Sequence, residues 1–391
     1  MRKTVLSLAS LAAALLLASG IALAAVPGGS AAGEKGAGPT NTIAADAALD
    51  GALKSLVARH GGPPGAIAVV QRGKHREVHA FGVGNIETGR PMRADDHMRI
   101  ASAAKAFSGG VALSLVGKGE LSLNDTIGER LPELPDAWSE VTLRQLLNHT
   151  SGIPDYSQTP NLGKELLADR DRRWSSTEVI ALIENIKPQF PAGTGYQYSN
   201  TDYVLLGEVI GAVTGTSWAQ QVRDRILDPL HLDHTFIPGI EPVPVRPLPG
   251  YFDADNDGDE ENIETGRTWP ALETSEGPAG AMVSNAEDLV TFGDALFHGR
   301  LLQPRTFHAM VTEGQHHPPN SNYGLGLEIV RPDYQTLIWG HGGFLPGFKA
   351  VLWYVPSRDA VIVVLTNTSR ANPPDLAELI LRTLPERTPQ P

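Results

Sequence analysis

The chain has 391 residues, no cysteine and a formal net charge of −12 at pH 7. The absence of cysteine excludes a disulfide framework and thiolate catalysis. The negative charge argues against a general affinity for nucleic acid or anionic membrane surfaces, so a small-molecule or peptide substrate is the better expectation.

The N-terminal residues predict two segments outside the folded part. Residues 1–24 have a basic start, a short apolar run and small residues at a cleavage site, which is typical of a secretory signal peptide. Residues 25–43 consist mainly of Gly, Ala, Pro and Ser and predict a disordered linker. No other apolar run is long enough to cross a membrane. We therefore expect a secreted, extracytoplasmic protein without a membrane anchor.

The next segments predict a helix, a hairpin and a second helix. Apolar residues at helical spacing predict an amphipathic helix over residues 45–59. Strand-like segments at 65–71 and 76–83 flank a glycine turn and predict an antiparallel hairpin. A helical run of small residues then begins at Ser102, so Lys105 lies one turn further along.

Residues 121–279 predict an inserted, mostly helical domain, because helical patches alternate there with long loops that contain Pro and Gly. The predicted helical patches are 142–148, 177–186, 201–213 and 219–227. Ser284 and Glu287 then predict a capping box before another helix.

The C-terminal part returns to strand-like patterns. Strands are predicted at 323–330, 348–355 and 360–367, followed by a helix at 374–384. Strands at both ends with helices between them predict an α+β fold. In this fold, residues 44–120 and 280–391 form an antiparallel sheet domain with terminal helices packed on it.

The segment Ser102-Ala103-Ala104-Lys105 is the S-x-x-K of this chain. A serine hydroxyl needs a base within reach, and residues three apart on a helix share a face. The alternative is a chance tetrapeptide in which Ser102 caps the helix and Lys105 is solvated. The G-x-S-x-G and H-E-x-x-H patterns of two other hydrolase classes are absent from the sequence.

Two later segments offer further polar groups. Tyr198 carries a phenol that relays a proton, and Asn200 carries an amide for a substrate carbonyl. The alternative is that Ser199 or Asn200 caps the next helix while Tyr198 packs. Residues 339–344 (WGHGGF) lie between predicted strands, where glycines allow an edge strand to approach a substrate. An ordinary glycine-rich hairpin corner is the alternative.

Taken in this order, S-x-x-K, Y-S-N and H-G-G resemble the motifs of the penicillin-recognising serine hydrolases. Residues 146–154 (LLNHTSGIP) are similar to a loop of the class C β-lactamase and D-Ala-D-Ala carboxypeptidase branch. The resemblance covers roughly residues 45–384. It implies that Ser102 is the acylated nucleophile, Lys105 its proton partner and Tyr198 the phenolic base.

The resemblance also implies a set of substrate-binding residues. Asn200 would bind the substrate amide, and His341 takes the position of the Lys or His that opens the third motif. Gly343 lies in the same motif, and the backbone N–H groups of Ser102 and Phe344 would form the oxyanion hole.

The implied activity is hydrolysis of D-Ala-D-Ala peptides, β-lactams or related amides and esters through an acyl-enzyme, with no cofactor and no metal. A catalytically silent penicillin-binding or sensor module is the alternative. Two departures bear on the substrate. Gly342 replaces the usual Thr or Ser that helps to hold a substrate carboxylate, and the preceding strand carries Glu328 where carboxypeptidases can use an Arg.

Two other patterns resemble metal sites. Residues 253–264 fit the spacing of a calcium loop, but Pro247 and Pro249 occupy the place of its first helix, so a polar hairpin is favoured. His231 and His234 follow a helix end and are expected to be solvated. The sequence does not indicate an oligomeric state.

Overall fold

The structure is a computed structural model that describes residues 41–58, 62–160, 162–253, 261–262, 269–317, 321–331 and 335–370, together with Ala377, Ile380, Leu381 and Leu384. The predicted signal peptide and nearly all of the predicted linker lie outside the described residues. So does most of the predicted calcium loop. These three assignments therefore remain predictions.

The helices of the described residues lie mainly in the middle of the chain. They are α1 (Asn41–Ala58), α2 (Ala104–Gly117), α3 (Ile127–Arg130), α4 (Leu143–Leu147), α5 (Leu162–Ala168), α6 (Ser176–Ala181), α7 (Asn200–Thr214), α8 (Trp218–Val222), α9 (Asp228–Leu230), α10 (Pro270–Glu276), α11 (Ala286–Phe297) and α12 (Pro304–Thr312). A π-helical turn, Arg223–Leu227, joins α8 to α9. No helix in this described part is long and apolar enough to cross a membrane.

The strands lie towards the two ends. They are β1 (Gly65–Arg72), β2 (His75–Asn85), β3 (Arg90–Pro91), β4 (Met98–Arg99), β5 (Tyr251–Phe252), β6 (Glu261–Asn262), β7 (Val283–Ser284), β8 (Gln315–His317), β9 (Ser321–Tyr323), β10 (Glu328–Val330), β11 (Ile338–Leu345), β12 (Phe348–Val355) and β13 (Ala360–Thr366). Among the described residues, nine of them form one sheet in the order β3-β2-β1-β13-β12-β11-β10-β9-β8.

Neighbouring strands of this sheet pair antiparallel throughout. The predicted hairpin is confirmed as β1 and β2, and Gly73 in its turn has a φ of +56° that favours glycine. The first and last parts of the chain meet where β1 pairs with β13. The predicted α+β fold with an antiparallel sheet is therefore confirmed. The division into a sheet domain and an insertion at 121–279 remains a prediction.

The sheet is covered on both faces because its strands alternate between two cores. Ile67 and Val69 of β1 belong to the larger core, which contains Phe107 of α2 and Phe292 of α11. The smaller core contains the opposite face of β1 with side chains of α1 and the described C-terminal residues. The buried members of this smaller core that come from the chain ends are Leu49, Ala52, Leu53, Leu56, Ala377, Ile380, Leu381 and Leu384.

One strand prediction and one alternative need correction. The stretch 323–330 is not one strand, because β9 ends at Tyr323 and the chain turns through Gly326, whose φ is +94°, before β10 begins. The glycine-rich third motif is not a hairpin corner, and its residues 341–344 pair on one side only, as the edge-strand interpretation expects. The motif lies on β11, which pairs with β12 on one side and, as far as Gly340, with β10 on the other.

The predicted capping box before α11 is wrong by one residue. Asn285 is the N-cap, and its side chain accepts a hydrogen bond from the backbone N–H of Asp288. The Ser284 hydroxyl instead lies 2.8 Å from the Thr235 hydroxyl. Ser284 belongs to β7, and its side chain contacts the segment around Thr235 instead of capping the helix.

Candidate active site

Ser102 lies on a tight turn between β4 and α2. A single 3₁₀ turn, Ala101–Ala103, leads directly into α2. Ala101 has a φ of +49°, a conformation that a residue with a Cβ adopts only at a cost. The turn is fixed by the backbone N–H of Ile100, which donates to the Met282 carbonyl at 3.0 Å. Ser102 is consequently held at the start of the helix with its side chain almost fully buried.

Gly343 of β11 makes room for this turn. A Cβ on Gly343 would lie 2.0 Å from the carbonyl oxygen of Ile100 and 3.3 Å from the Cβ of Ala101. Only a glycine therefore lets β11 pass so close to the residues that precede Ser102. The first and third motifs are thus in contact.

Lys105 is the centre of the hydrogen bonds around Ser102. Its side chain is 0 % exposed. The ammonium Nζ donates to the Ser102 Oγ at 3.2 Å, to the Asn200 Oδ1 at 2.7 Å and to the carbonyl oxygen of Ala279 at 2.9 Å. The alternative of a solvated Lys105 is therefore wrong, since all three protons of its ammonium group have acceptors inside the protein.

Burial also changes the acidity of this lysine. Desolvation lowers the pKa of Lys105 to about 8, and the nearby carboxylates oppose that fall, Glu276 most strongly. Glu276 is itself buried, and burial raises its pKa to about 7 while the Lys105 ammonium opposes that rise. Near neutral pH a substantial fraction of Lys105 is therefore the neutral amine, whereas a solvated lysine is almost fully protonated.

Asn200 lies at the first position of α7, and both ends of its amide are used within the protein. Its Oδ1 accepts from Lys105, and its Nδ2 donates to the Ser157 hydroxyl at 3.2 Å. Ser199 is the N-cap of α7, but its side chain makes no capping hydrogen bond. The capping alternative for Ser199 or Asn200 is therefore not observed, and Asn200 instead holds Lys105 in position.

Tyr198 lies against the same lysine. The Lys105 Nζ is 4.8 Å from the centroid of the Tyr198 ring. The Tyr198 hydroxyl is buried and has no hydrogen-bond partner of good geometry among the described residues. Burial raises the pKa of Tyr198 well above its usual value, and the neighbouring Ser102 side chain opposes that rise. Tyr198 is therefore a neutral phenol at neutral pH.

His341 lies on β11 and is buried with both ring nitrogens in use. Its Nδ1 contacts the carbonyl oxygen of Gly342, which can only accept, so Nδ1 carries the proton. Its Nε2 then accepts from the Tyr323 hydroxyl at 2.8 Å. Burial lowers the pKa of His341 to about 3, and the charge of Lys105 contributes. His341 is thus neutral and has no free ring nitrogen for a substrate in this conformation.

Phe344 is the last predicted site residue and follows Gly343 on β11. Its side chain is buried, and its ring lies 5.4 Å from the Nζ of Lys349. Residues 341–345 pair only with β12, because the pairing of β10 with β11 ends at Gly340. This half of β11 therefore has one side that is not covered by a neighbouring strand of the sheet.

The arrangement matches a known family. A family model described as Beta-lactamase matches residues 49–384. The chain belongs to the beta-lactamase family. The family predicted from the motifs is therefore confirmed, and with it, at the level of the family, the predicted serine-hydrolase class.

Solved structures of the family include close structural neighbours of this chain. A D-stereospecific amidohydrolase from Streptomyces sp. is 32 % identical, with a TM-score of 0.75 over 85 % of this chain and 97 % of that one. The D-amino acid amidase from Ochrobactrum anthropi SV3, complexed with D-phenylalanine, is 27 % identical, with a TM-score of 0.77 over 87 % of this chain and 98 % of that one.

A curated relative by sequence is the D-aminopeptidase of Gluconobacter oxydans, which is 27 % identical over 88 % of this chain and 64 % of its own length. Penicillin-binding protein 4 of Amycolatopsis lactamdurans is 29 % identical over 61 % of this chain and 60 % of its own length. The chain thus spans less than two thirds of the length of these two relatives.

A buried histidine and carboxyl group beside Tyr198 were not predicted as site residues. The His149 ring centroid lies 4.3 Å from that of Tyr198. Its Nδ1 lies 3.0 Å from an Asp202 carboxyl oxygen, and the Ser151 hydroxyl donates to the other oxygen. His149 has a φ of +58°. Both His149 and Ser151 belong to the segment LLNHTSGIP, whose similarity to a loop of the family is the sequence signal that could have identified them.

Four buried or partly buried carboxyl groups around Lys105 were also missed. They are Asp155, Asp202, Glu276 and Glu328. They come from four separate segments and share no sequence pattern, so only the fold brings them together. Among the described residues, no group of three or more metal-binding side chains is placed to hold a metal ion.

Proposed function

We propose that this beta-lactamase family member is an exported serine hydrolase that cleaves small amides and esters through an acyl-enzyme on Ser102. The main support is the buried contact of 3.2 Å between the Lys105 Nζ and the Ser102 Oγ, with Tyr198 packed against the same lysine. A nucleophile next to a desolvated base is the arrangement that activates a serine hydroxyl.

In the proposed reaction, the neutral amine of Lys105 takes the proton of Ser102 as its Oγ attacks the substrate carbonyl. The oxyanion of the tetrahedral intermediate accepts hydrogen bonds from backbone N–H groups, for which Ser102 and Phe344 are the candidates. The leaving amine or alcohol takes the proton as the intermediate collapses to the ester of Ser102. Water then attacks this ester by the same steps and releases the acid.

The proton chemistry is assigned mainly to Lys105. Of the two candidate bases, Lys105 has the pKa that burial moves towards neutral pH, whereas burial moves the pKa of Tyr198 away from it. An efficient general base has a pKa near the working pH. We therefore propose that Tyr198 relays a proton as a neutral phenol, and that Lys105 takes the role of base that the motif implies for Tyr198.

The proposed substrates are amides and esters rather than molecules that end in a carboxylate. Gly342 offers no hydroxyl for a carboxylate, and neutral His341 offers no positive charge. Among the substrate classes expected from the sequence, this disfavours D-Ala-D-Ala peptides and β-lactams. The related D-amino acid amidase and D-aminopeptidase are named for amide substrates of the favoured kind.

A substrate panel tests this proposal. Wild type and Ser102→Ala are compared on a D-amino acid amide, a short-chain chromogenic ester, a cephalosporin and a D-Ala-D-Ala peptide. We expect hydrolysis of the amide and ester that is lost in Ser102→Ala. Stable labelling by a fluorescent penicillin without any turnover would instead support a silent penicillin-binding module, and neither signal would reject both functions.

Export is proposed from residues 1–24 alone. If the full chain is expressed in a bacterium, we expect the mature protein outside the cytoplasm with its N-terminus at Ala25. Retention of Met1 in a cytoplasmic product would contradict the proposal.

A further inference from the structure

Negative groups dominate the surroundings of Lys105. The charges that act on its ammonium come from the carboxyl groups of Glu276, Asp155, Asp202 and Glu328. The first three are buried. The Glu328 side chain is 20 % exposed, which makes it the member of this group that a molecule from solvent can reach most readily.

Glu328 lies next to the third motif, on the strand that pairs with the start of β11. It is the first residue of β10, and in the sheet it is opposite Gly340 of β11. Its carboxyl group accepts a hydrogen bond from the backbone N–H of Gly342. Its carboxyl group also lies close enough to Tyr198 and Tyr196 for its charge to contribute to the raised pKa of each phenol.

Burial raises the pKa of Glu328 to about 7, and the charge of the nearby Lys105 opposes that rise. The partner of Glu328 within ion-pair distance is His341, at 4.0 Å, and His341 is neutral because burial lowers its pKa to about 3. Among the ion pairs of the described residues, no Lys or Arg pairs with Glu328. A partly buried carboxyl group with a raised pKa is ionised more readily, and its charge is stabilised, when a cation arrives with a ligand.

We propose that Glu328 is the specificity-determining residue of this site and that it selects substrates with a free ammonium group close to the scissile carbonyl. The inference rests on the proposed function and names its substrate class, the amides and esters of amino acids with an unblocked amine. A substrate carboxylate in the same place would face the carboxyl group of Glu328, which disfavours its binding.

Binding to the Ser102→Ala protein tests this without any turnover. D-phenylalanine amide, whose amine is charged near neutral pH, is compared with its N-acetylated form by calorimetric titration. We expect the free amine to bind about tenfold more tightly, since a partly buried ion pair exceeds an exposed one in strength. Equal binding of the two ligands, or no binding of either, would overturn the proposal.

Variants of Glu328 test whether its side chain causes the preference for the free amine over the N-acetylated ligand. Glu328→Gln in the same background should reduce the preference to near unity, whereas Glu328→Asp, which keeps a carboxylate, should retain part of it. Glu208→Gln is the matched control, because Glu208 is also half-buried but lies on α7 away from the motif residues. A full preference in folded Glu328→Gln would refute the role of Glu328.

Hydrolysis by the chain with Ser102 intact separates the two proposals. A preference in binding that depends on Glu328, with no hydrolysis of either compound, would reject the hydrolase and leave the selection by Glu328 standing. Hydrolysis that requires Ser102 but does not depend on the N-acetyl group or on Glu328 would support the hydrolase and reject the selection by Glu328.

Discussion

Substitution of Gly343 by alanine tests the contact between β11 and the Ser102 turn. The new Cβ would lie 2.0 Å from the carbonyl oxygen of Ile100, whereas ordinary contacts are longer than about 3.4 Å. Either β11 or the turn must therefore move by roughly 1 Å. Overpacking of this kind costs about 1–3 kcal/mol of stability.

The same displacement should impair catalysis more than stability. A shift of about 1 Å in a reacting group can lower a rate by about 100-fold. We therefore expect kcat/KM of Gly343→Ala on a chromogenic ester to fall by about that factor, while urea unfolding shows a protein that is weakened but folded. An unchanged urea midpoint together with at least half of the wild-type kcat/KM would refute the account of this contact.

Gly51→Ala is the control variant, in which the same substitution is expected to raise stability instead of lowering it. Gly51 is exposed on α1, and a Cβ there would have no neighbour within 4 Å. Alanine is the better helix former by about 1 kcal/mol, so this variant should be slightly more stable and fully active. If both alanine variants behaved alike, the effect at position 343 would not come from steric contact.

Three further predictions concern the charged and hydroxyl groups of the site. The kcat/KM on a neutral ester should rise from pH 6 to pH 9, because the pKa of Lys105 is lowered to about 8 and its neutral form is the proposed base. A flat pH profile would show that Lys105 is not the base. Tyr198→Phe should slow ester hydrolysis by about 100-fold or more with little loss of melting temperature, since the buried hydroxyl has no hydrogen bond of good geometry. An unchanged rate would show that Tyr198 does not transfer a proton in the reaction. Asp202→Ala should lower the free energy of unfolding by about 1–3 kcal/mol, because it removes the hydrogen-bond partner of the buried His149 and Ser151 side chains. A loss below about 0.5 kcal/mol in urea unfolding would contradict this.

Local patterns predicted the elements whose signals are strong and short in range. The β1–β2 hairpin was predicted with ends that differ by at most two residues from the observed ones, because alternation and the glycine turn at Gly73 agree. The helix after Ser102 was predicted from its helical run of small residues. The four motifs were sufficient to identify the family.

The errors arose where tertiary packing overrides local preference. β11 contains three glycines, which normally weaken a strand. Two of them, Gly340 and Gly343, are required because a Cβ at either position would collide with neighbouring backbone. The neutral state of His341 could not be foreseen, since it depends on burial and on Tyr323. The carboxyl groups around Lys105 come from separate segments and become neighbours only in the folded chain.

The most direct test of the central claim is the mass of the intact protein during turnover. Quenching the reaction with an activated amino acid ester in acid should trap one acyl group per chain, and peptide mapping should locate it on Ser102. The adduct should accumulate in Tyr198→Phe and be absent from Ser102→Ala. An adduct on another residue, or full hydrolysis by Ser102→Ala, would contradict the proposed acyl-enzyme.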